Sequence, residues 1–230
     1  MKLTSKLLAT GALALGALAA TAPAQAQVDG RVATADISRA IIGTTALQTA
    51  YNQIGTTYQA QIEQRQTKQQ ELTTLLQPFD TNGNGQLDEA ELPAVQSASN
   101  FAQIQTLEQE VAGLTSQVNA ARIYAVEQIL AQYPAAITEV TTQQQVVMVL
   151  QPDVIQFAAQ GADITQLITT SLNAKVPSVQ IVPPADWRPQ RQTAQIFQDI
   201  QQTLLTAQII QQQQQQQQGQ AQQPQAPAGR

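Results

Sequence analysis

A twelve-residue segment, residues 80–91, carries the oxygen-bearing residue types that bind calcium. It lies within PFDTNGNGQLDEAEL and matches the loop pattern D-x-[DN]-x-[DN]-G-x5-E at every required position. Calcium takes about six to eight oxygen ligands, and a sharply turned loop can present alternate residues inward. The predicted calcium ligands are, in chain order, Asp80, Asn82, Asn84, Gln86, Asp88 and Glu91.

The loop positions predict different roles for these residues. Gly85 permits the central turn, Gln86 offers its backbone carbonyl, and Glu91 closes the site with both carboxylate oxygens. Three carboxylates and two amides favour an affinity in the micromolar to millimolar range. Leu87 stands where an apolar residue normally packs against a partner loop, and this chain has one such loop. The loop is therefore weak, pairs between subunits, or stiffens the turn; the alternative is a polar Asn/Gly turn joining two helices.

The N-terminus has the three parts of a secretory signal. Lys2 and Lys6 precede the apolar run LLATGALALGALAA, and an A-x-A cleavage motif follows at residues 24–26. We expect residues 1–26 to be a signal peptide cleaved near Ala26, the alternative being an uncleaved anchor. No second apolar segment is long enough to cross a membrane, so the mature chain is expected to be exported and not stably inserted.

Composition excludes several classes of function. After signal removal nine basic and sixteen acidic residues remain, a net charge of −7, and no basic run suggests nucleic acid as a partner. Cysteine is absent, which rules out a disulfide framework, and histidine is absent, which removes the commonest general base and zinc ligand. The sequence therefore does not predict an enzyme.

Two long helical stretches flank the loop. The first, from about residue 44, carries apolar residues at spacings of three and four, and the second spans about residues 97–133 and ends at Pro134. Two helices of about 35 residues extend about 50 Å each and are expected to fold back as an antiparallel hairpin. An ordinary globular α-bundle is the alternative. The seam of the second helix consists of Leu107, Val111, Leu114, Val118, Ala121 and Ala125.

Three short apolar runs predict a small sheet at about residues 31–37, 146–150 and 154–158, the last two joined by a turn at Gln151-Pro152-Asp153. Asp163 is the predicted cap of a further helix, or Thr165 if that helix starts later. The predicted fold class is α+β, with a body from residues 27–43 and 134–182 and a helical-hairpin arm from residues 44–133.

The tail, residues 183–230, is rich in proline and glutamine. A Pro-rich connector at residues 182–190 leads into a predicted amphipathic helix over residues 192–210. Eight glutamines follow, Gln211–Gln218, and then a Gln/Pro/Ala/Gly ending. We expect this last part to be disordered, because it offers little apolar surface to bury; a polyglutamine interaction tract is the alternative.

The order of these elements resembles the OmpH family of periplasmic chaperones, the Skp-like proteins. VATADISRAI resembles the family's opening strand, and AVEQILAQYPAAITEV followed by QQVVMVLQPDVIQFAAQGADITQLITTSLN resembles its closing block. The resemblance covers about residues 30–176. It implies a periplasmic homotrimer in which three arms enclose a cavity that holds unfolded outer-membrane proteins, without covalent chemistry.

Two features depart from that family. The arms are acidic, with Arg65, Lys68 and Arg122 against five glutamates, whereas well-known members carry basic arms. The calcium-type loop is not a family feature. A calcium-binding coiled-coil scaffold or interaction protein of the cell envelope is therefore the alternative to a holdase chaperone.

Overall fold

The structure is a computed structural model that describes residues 30–221, with side chains as far as Gln216. It is mostly helical. The predicted signal peptide and the last nine residues of the tail lie outside the described residues. In chain order the elements are β1 (Arg31–Thr34), α1 (Ile37–Ile42), α2 (Thr45–Thr57), α3 (Gln59–Leu76), α4 (Leu92–Gln96), α5 (Phe101–Leu130), α6 (Tyr133–Gln143), β2 (Val146–Leu150), α7 (Thr165–Lys175) and α8 (Arg191–Ala221), with 3₁₀ turns at Gln77–Phe79 and Pro152–Val154.

Helices α2, α3 and α5 form the arm. Arg122 of α5 lies over the Tyr51 ring of α2, whereas Lys68 of α3 pairs with Glu110 of α5 at 2.6 Å. The later part of α5 therefore lies beside α2, and its earlier part lies beside α3. The two sides of the arm run in opposite directions. α5 has 30 residues, which corresponds to about 45 Å.

The first side of the arm is interrupted, although the sequence predicts one helix there. Thr44 caps α2 by accepting a hydrogen bond from the Leu47 N–H at 3.3 Å. Tyr58 then leaves the helical conformation, with φ −104° and ψ 20°, and α3 begins at Gln59. On the other side, α5 ends at Leu130, and α6 begins at Tyr133 with Pro134 in its first turn, where a missing N–H costs nothing.

The sheet has two strands in the part of the chain that the structure describes. β1 and β2 pair in parallel, with Ala33 opposite Val149 and an irregularity between Arg31 and Val32. β1 stops at Thr34 rather than continuing to residue 37, because Asp36 caps α1 by accepting from the Arg39 N–H at 2.9 Å. The strand predicted over residues 31–37 is therefore shorter than expected.

The strand predicted over residues 154–158 is wrong. Pro152 opens a 3₁₀ turn that ends at Val154, and no regular element follows before Thr165. The apolar run that suggested a strand lies in solvent, with Val154 69% and Phe157 85% exposed. Periodicity alone does not supply a pairing partner, and β2 already pairs with β1 rather than folding into a hairpin.

The body core lies where α1, α6, α7 and the start of α8 meet the C-terminal end of α5. Its centre is aliphatic and fully enclosed, with Ile41, Ile129, Ile164, Ile168, Leu172 and Ile200 all buried.

Polar side chains join the helices of the body. Thr169 donates to the Ala40 carbonyl at 3.1 Å, and Glu139 accepts from Lys175 at 2.7 Å and from Ser171 at 2.9 Å. α7 begins at Thr165 with Ile164 at its N-cap, so neither residue predicted as the cap occupies that position. The Asp163 carboxylate accepts from the Thr165 N–H at 2.9 Å.

α8 begins one residue before the predicted start and extends beyond the predicted end. Ile196, Phe197 and Ile200 are buried in the body, and Leu204 packs against it. The helix continues through the glutamine run to Ala221, where composition predicts disorder. Glutamine has a good helix propensity, so a helix that is anchored in the body can extend through it. Among residues 30–221, no helix is both long and apolar enough to cross a membrane.

We expect Ile168→Ala to lower the free energy of unfolding by about 2–5 kcal/mol, because it leaves a cavity in the body core. The neighbouring Leu167 is 42% exposed and provides the matched control, so Leu167→Ala is expected to cost no more than about 1 kcal/mol. Urea unfolding followed by circular dichroism, at one protein concentration, measures both. Equal losses would place the core elsewhere.

Candidate functional site

The predicted calcium loop lies at the far end of the arm. The 3₁₀ turn Gln77–Phe79 leads into it from α3, and it ends at the start of α4. Beneath the loop is a separate apolar cluster made of residues from α3, the loop, α4 and α5: Leu72, Leu75, Leu76, Phe79, Leu87, Val95, Phe101, Ile104 and Leu107. Leu87 therefore packs against its own arm, where the loop pattern alone suggested a partner loop.

Two glycines give the loop its curvature. Gly83 has φ +70° and Gly85 has φ +77°, both in the left-handed region that glycine adopts without steric cost. Space beside both positions is open, so backbone conformation rather than crowding calls for glycine here. The loop pattern requires Gly85. The Asn82-Gly83 dipeptide was the available signal for the other turn.

The first half of the loop is curled around its own side chains. The Asp80 carboxylate accepts from the Asn84 N–H at 3.2 Å and from the Gly85 N–H at 2.8 Å. Asn82 Oδ1 also accepts from the Asn84 N–H, at 2.9 Å, and Asn84 Oδ1 accepts from the Gln86 N–H at 2.7 Å. These short-range bonds replace a regular backbone ladder and hold the predicted ligands in one tight turn.

Glu91 ties the end of the loop to its beginning. Its Oε1 accepts from the Thr81 N–H at 2.7 Å and the Thr81 hydroxyl at 2.6 Å, and its Oε2 accepts from the Asp88 N–H at 3.0 Å. The residue is only 6% exposed. The hydrogen bond from the Thr81 hydroxyl, followed by that from the Asp88 N–H, lowers the pKa of the Glu91 carboxyl below its usual value. No spacing rule points to Thr81.

Asp88 faces the two asparagine amides. Its Oδ2 accepts from Asn82 Nδ2 at 2.6 Å, and Asn84 Nδ2 lies 3.4 Å from the same oxygen. Each of the three carboxylates is thus engaged by donors of the loop itself. Among residues 30–221, no group of three or more Asp, Glu, His or Cys side chains is arranged to hold a metal ion.

The donor types nevertheless fit a hard cation. Carboxylate and amide oxygens are the ligands that calcium prefers, and all six predicted positions lie in one turn of chain. The Asn82 and Asn84 amides now direct nitrogen toward Asp88, so their oxygens would have to replace those nitrogens for a cation to enter. The residue types are therefore those that calcium prefers, and hydrogen bonds within the loop stabilise their present arrangement.

Comparison with solved structures gives an alignment over much of this chain. No protein-family model matches the chain. No curated protein matches it either. The crystal structure of an OmpH-like protein from Caulobacter crescentus, provisionally described as an outer membrane chaperone, aligns at 15% identity with a TM-score of 0.40. The alignment covers 68% of this chain and 92% of that one.

Glu91 predicts a pH dependence of the loop. The pKa of Glu91 is lowered in the folded protein. The Glu91 carboxylate therefore stabilises the folded loop at pH values above its ordinary pKa of 4.5, and this stabilisation is lost as the pH falls through the lowered pKa. The amide NMR signals of Thr81 and Asp88 are expected to move together on acidification.

Glu91→Gln should produce a comparable change already at neutral pH, because the carboxylate that accepts from both residues is gone. Glu89→Gln replaces an exposed carboxylate of the same loop and should leave both signals in place. Signals that respond equally to both substitutions would show that Glu91 does not close the loop.

Proposed function

We propose that the chain is a periplasmic holdase chaperone, a homotrimer that binds unfolded outer-membrane proteins between its helical arms. The observation that carries the proposal is an arm with its own apolar clusters joined to a body that leaves apolar side chains of β2 exposed. The cluster at the far end of the arm contains residues of α3, α4, α5 and the loop between them, separate from the body core. Such an arm is a spacer that extends from the body and can border a cavity.

The small sheet supports assembly from several copies. A two-stranded sheet is marginal by itself, and β2 leaves apolar side chains on the surface: Val147 is 55% exposed, and Met148 is also exposed. Phe157 follows in the irregular segment after β2 and is almost fully in solvent. Copies that cover these residues would bury the apolar surface that one copy leaves open. The number three follows from the resemblance to the OmpH family.

The surface of the arm suits weak and reversible contact with a client. α3 is largely Gln and Thr, with Leu72 as its buried residue, and most of its other side chains are exposed. Uncharged polar groups form many exchangeable hydrogen bonds without the strong electrostatic capture that a basic arm provides. Retention between arms, rather than tight binding at one site, is the mode of action that this surface favours.

Calcium binding at the arm tip is the second part of the proposal. Asp80, Asn82, Asn84, Asp88 and Glu91 would supply side-chain oxygens and Gln86 its carbonyl. When bound, the ion would supply a positive centre for the three carboxylates. The apolar cluster beneath the loop, here called the tip cluster, includes Leu87 from the loop itself, so a change in the loop reaches the α3–α5 contact directly. This observation also favours the second candidate function, a calcium-binding scaffold of the cell envelope.

Light scattering on a sizing column tests the holdase proposal. Mature protein is mixed with a urea-diluted outer-membrane barrel protein in calcium buffer. A trimer-sized species that gains the mass of one client, with aggregation suppressed, is the expected result. A trimer that elutes alone while the client precipitates would contradict chaperone function and leave the scaffold.

A surface substitution tests the assembly independently of clients. Phe157→Ser is expected to shift the trimer toward monomer by at least about tenfold in dissociation constant, because an exposed aromatic residue at an interface contributes more than about 1 kcal/mol. Leu205→Ser is the matched control, since Leu205 is 57% exposed but lies on α8. Equal behaviour of the two variants would place the contact between copies away from the segment after β2.

Calorimetric titration with calcium chloride tests the arm tip. We expect a dissociation constant between micromolar and millimolar for the wild type, and a loss of at least about tenfold in Glu91→Gln, which removes one of the predicted carboxylate ligands. Glu89→Gln should bind as the wild type does. No heat of binding in any protein, with unchanged amide signals from residues 80–91, would show that the loop is a polar turn.

A further inference from the structure

The segment between α7 and α8, residues 176–190, is here called the strap. It contacts both apolar clusters that meet at the base of the arm. Val179 packs against the body core, and Ile181 packs against the cluster formed by Ile54, Val118 and Ala121. The strap therefore spans the junction at which α2 and α5 leave the body.

One end of the strap is fixed by a side-chain amide. Gln128 of α5 donates from Nε2 to the Gln180 carbonyl at 2.8 Å and accepts at Oε1 from the Gln180 N–H at 2.9 Å. The two bonds satisfy the backbone N–H and the backbone carbonyl of Gln180, as a neighbouring β-strand would. An otherwise irregular backbone is thereby satisfied by a helix side chain.

The other end is fixed by the adjacent residue of α5. The Glu127 carboxylate accepts from the Trp187 indole N–H at 3.0 Å on one oxygen and from the Gln190 N–H at 3.2 Å on the other. Hydrogen bonds to a charged acceptor are stronger than neutral ones. The indole ring also meets Tyr124 edge to face, with ring centroids 5.3 Å apart.

The strap is stiff between these two attachments. Pro183 and Pro184 fix two consecutive φ angles, and the Trp187 N–H donates to the Pro184 carbonyl at 3.0 Å to close a turn. A short rigid span held at both ends transmits a restraint better than a flexible linker does.

The first turns of α8 add a third attachment. Gln201 Nε2 lies 3.4 Å from the Tyr51 hydroxyl of α2, and Arg122 lies over the Tyr51 ring. Burial raises the pKa of Tyr51 to about 12, so the phenol is neutral at physiological pH. Both sides of the arm, α2 and α5, are thus tied to the chain that follows α7.

We propose that the strap and the start of α8 form a clasp that fixes the base of the arm on the body and sets the stiffness of the arm. Release of the strap from Glu127 and Gln128 would leave the start of α8 in the body core and would let α2 and α5 open at their base. The inference concerns the mobility of the arm, so it stands whether or not the cavity holds a client.

Hydrogen–deuterium exchange on the full mature chain tests the clasp, with Glu127→Ala as the principal variant. Backbone amides of residues 51–57 and 118–125 are expected to exchange about tenfold faster, because two hydrogen bonds to a charged group are lost. Glu108→Ala removes an exposed carboxylate from the same helix and is the matched control. Gln128→Ala releases the opposite end and should accelerate the same amides.

The result has a second readout and two outcomes that would overturn it. Trp187 is the single tryptophan, so its fluorescence emission reports release of the strap and should move to longer wavelength in Glu127→Ala. If the emission moves while the base of the arm exchanges as in the wild type, the strap does not restrain the arm. If amide exchange in α7 accelerates as much as it does in the arm, the strap stabilises the whole body, and the proposal is also wrong.

Discussion

Helix α5 is the constraint on which the rest of the structure depends, because it takes part in all three apolar clusters. Ile104 and Leu107 belong to the tip cluster, Val118 and Ala121 to the cluster at the base of the arm, and Ile129 to the body core. One 30-residue helix therefore sets the spacing between the loop and the sheet. A break along it would divide this side of the arm, as the other side is already divided between α2 and α3.

The arm has a narrow core, and the contacts of the loop help to hold its far end together. Two helices in contact bury a single stripe of side chains, so the arm gains little stability per residue from burial. The tip compensates with a dense set of polar contacts around Asp80, Asp88 and Glu91 and with the cluster beneath Leu87. Apolar clusters thus lie near both ends of the arm, where the loop and the strap lie.

Periodicity in the sequence predicted the helices well, but it did not predict which segments pair with each other. Of the α5 seam, Leu107, Val118, Ala121 and Ala125 are buried as the spacing indicated, and the two 3.6-periodic sides of the arm lie together. The run at residues 154–158 has the same apolar composition as a strand, but pairing depends on which edge is available, and that is a property of the folded chain. The candidate site divides in the same way. Its spacing predicted six ligand positions, whereas the hydrogen bonds from Thr81 depend on the approach of Glu91 across ten residues.

The parallel pairing of β1 and β2 has a consequence for how the chain folds. Arg31 lies opposite Val146, roughly 115 positions later, with the entire arm between them. During synthesis β1 is made early, and its partner appears only after both sides of the arm have been completed. Local helix contacts form faster than such distant pairing, so the arm is expected to form first and to bring the two strands together. Folding of the arm thus brings β2 to β1 and completes the sheet of the body. A chain that stalls before residue 146 would leave β1 as an unpaired edge on which other chains could aggregate.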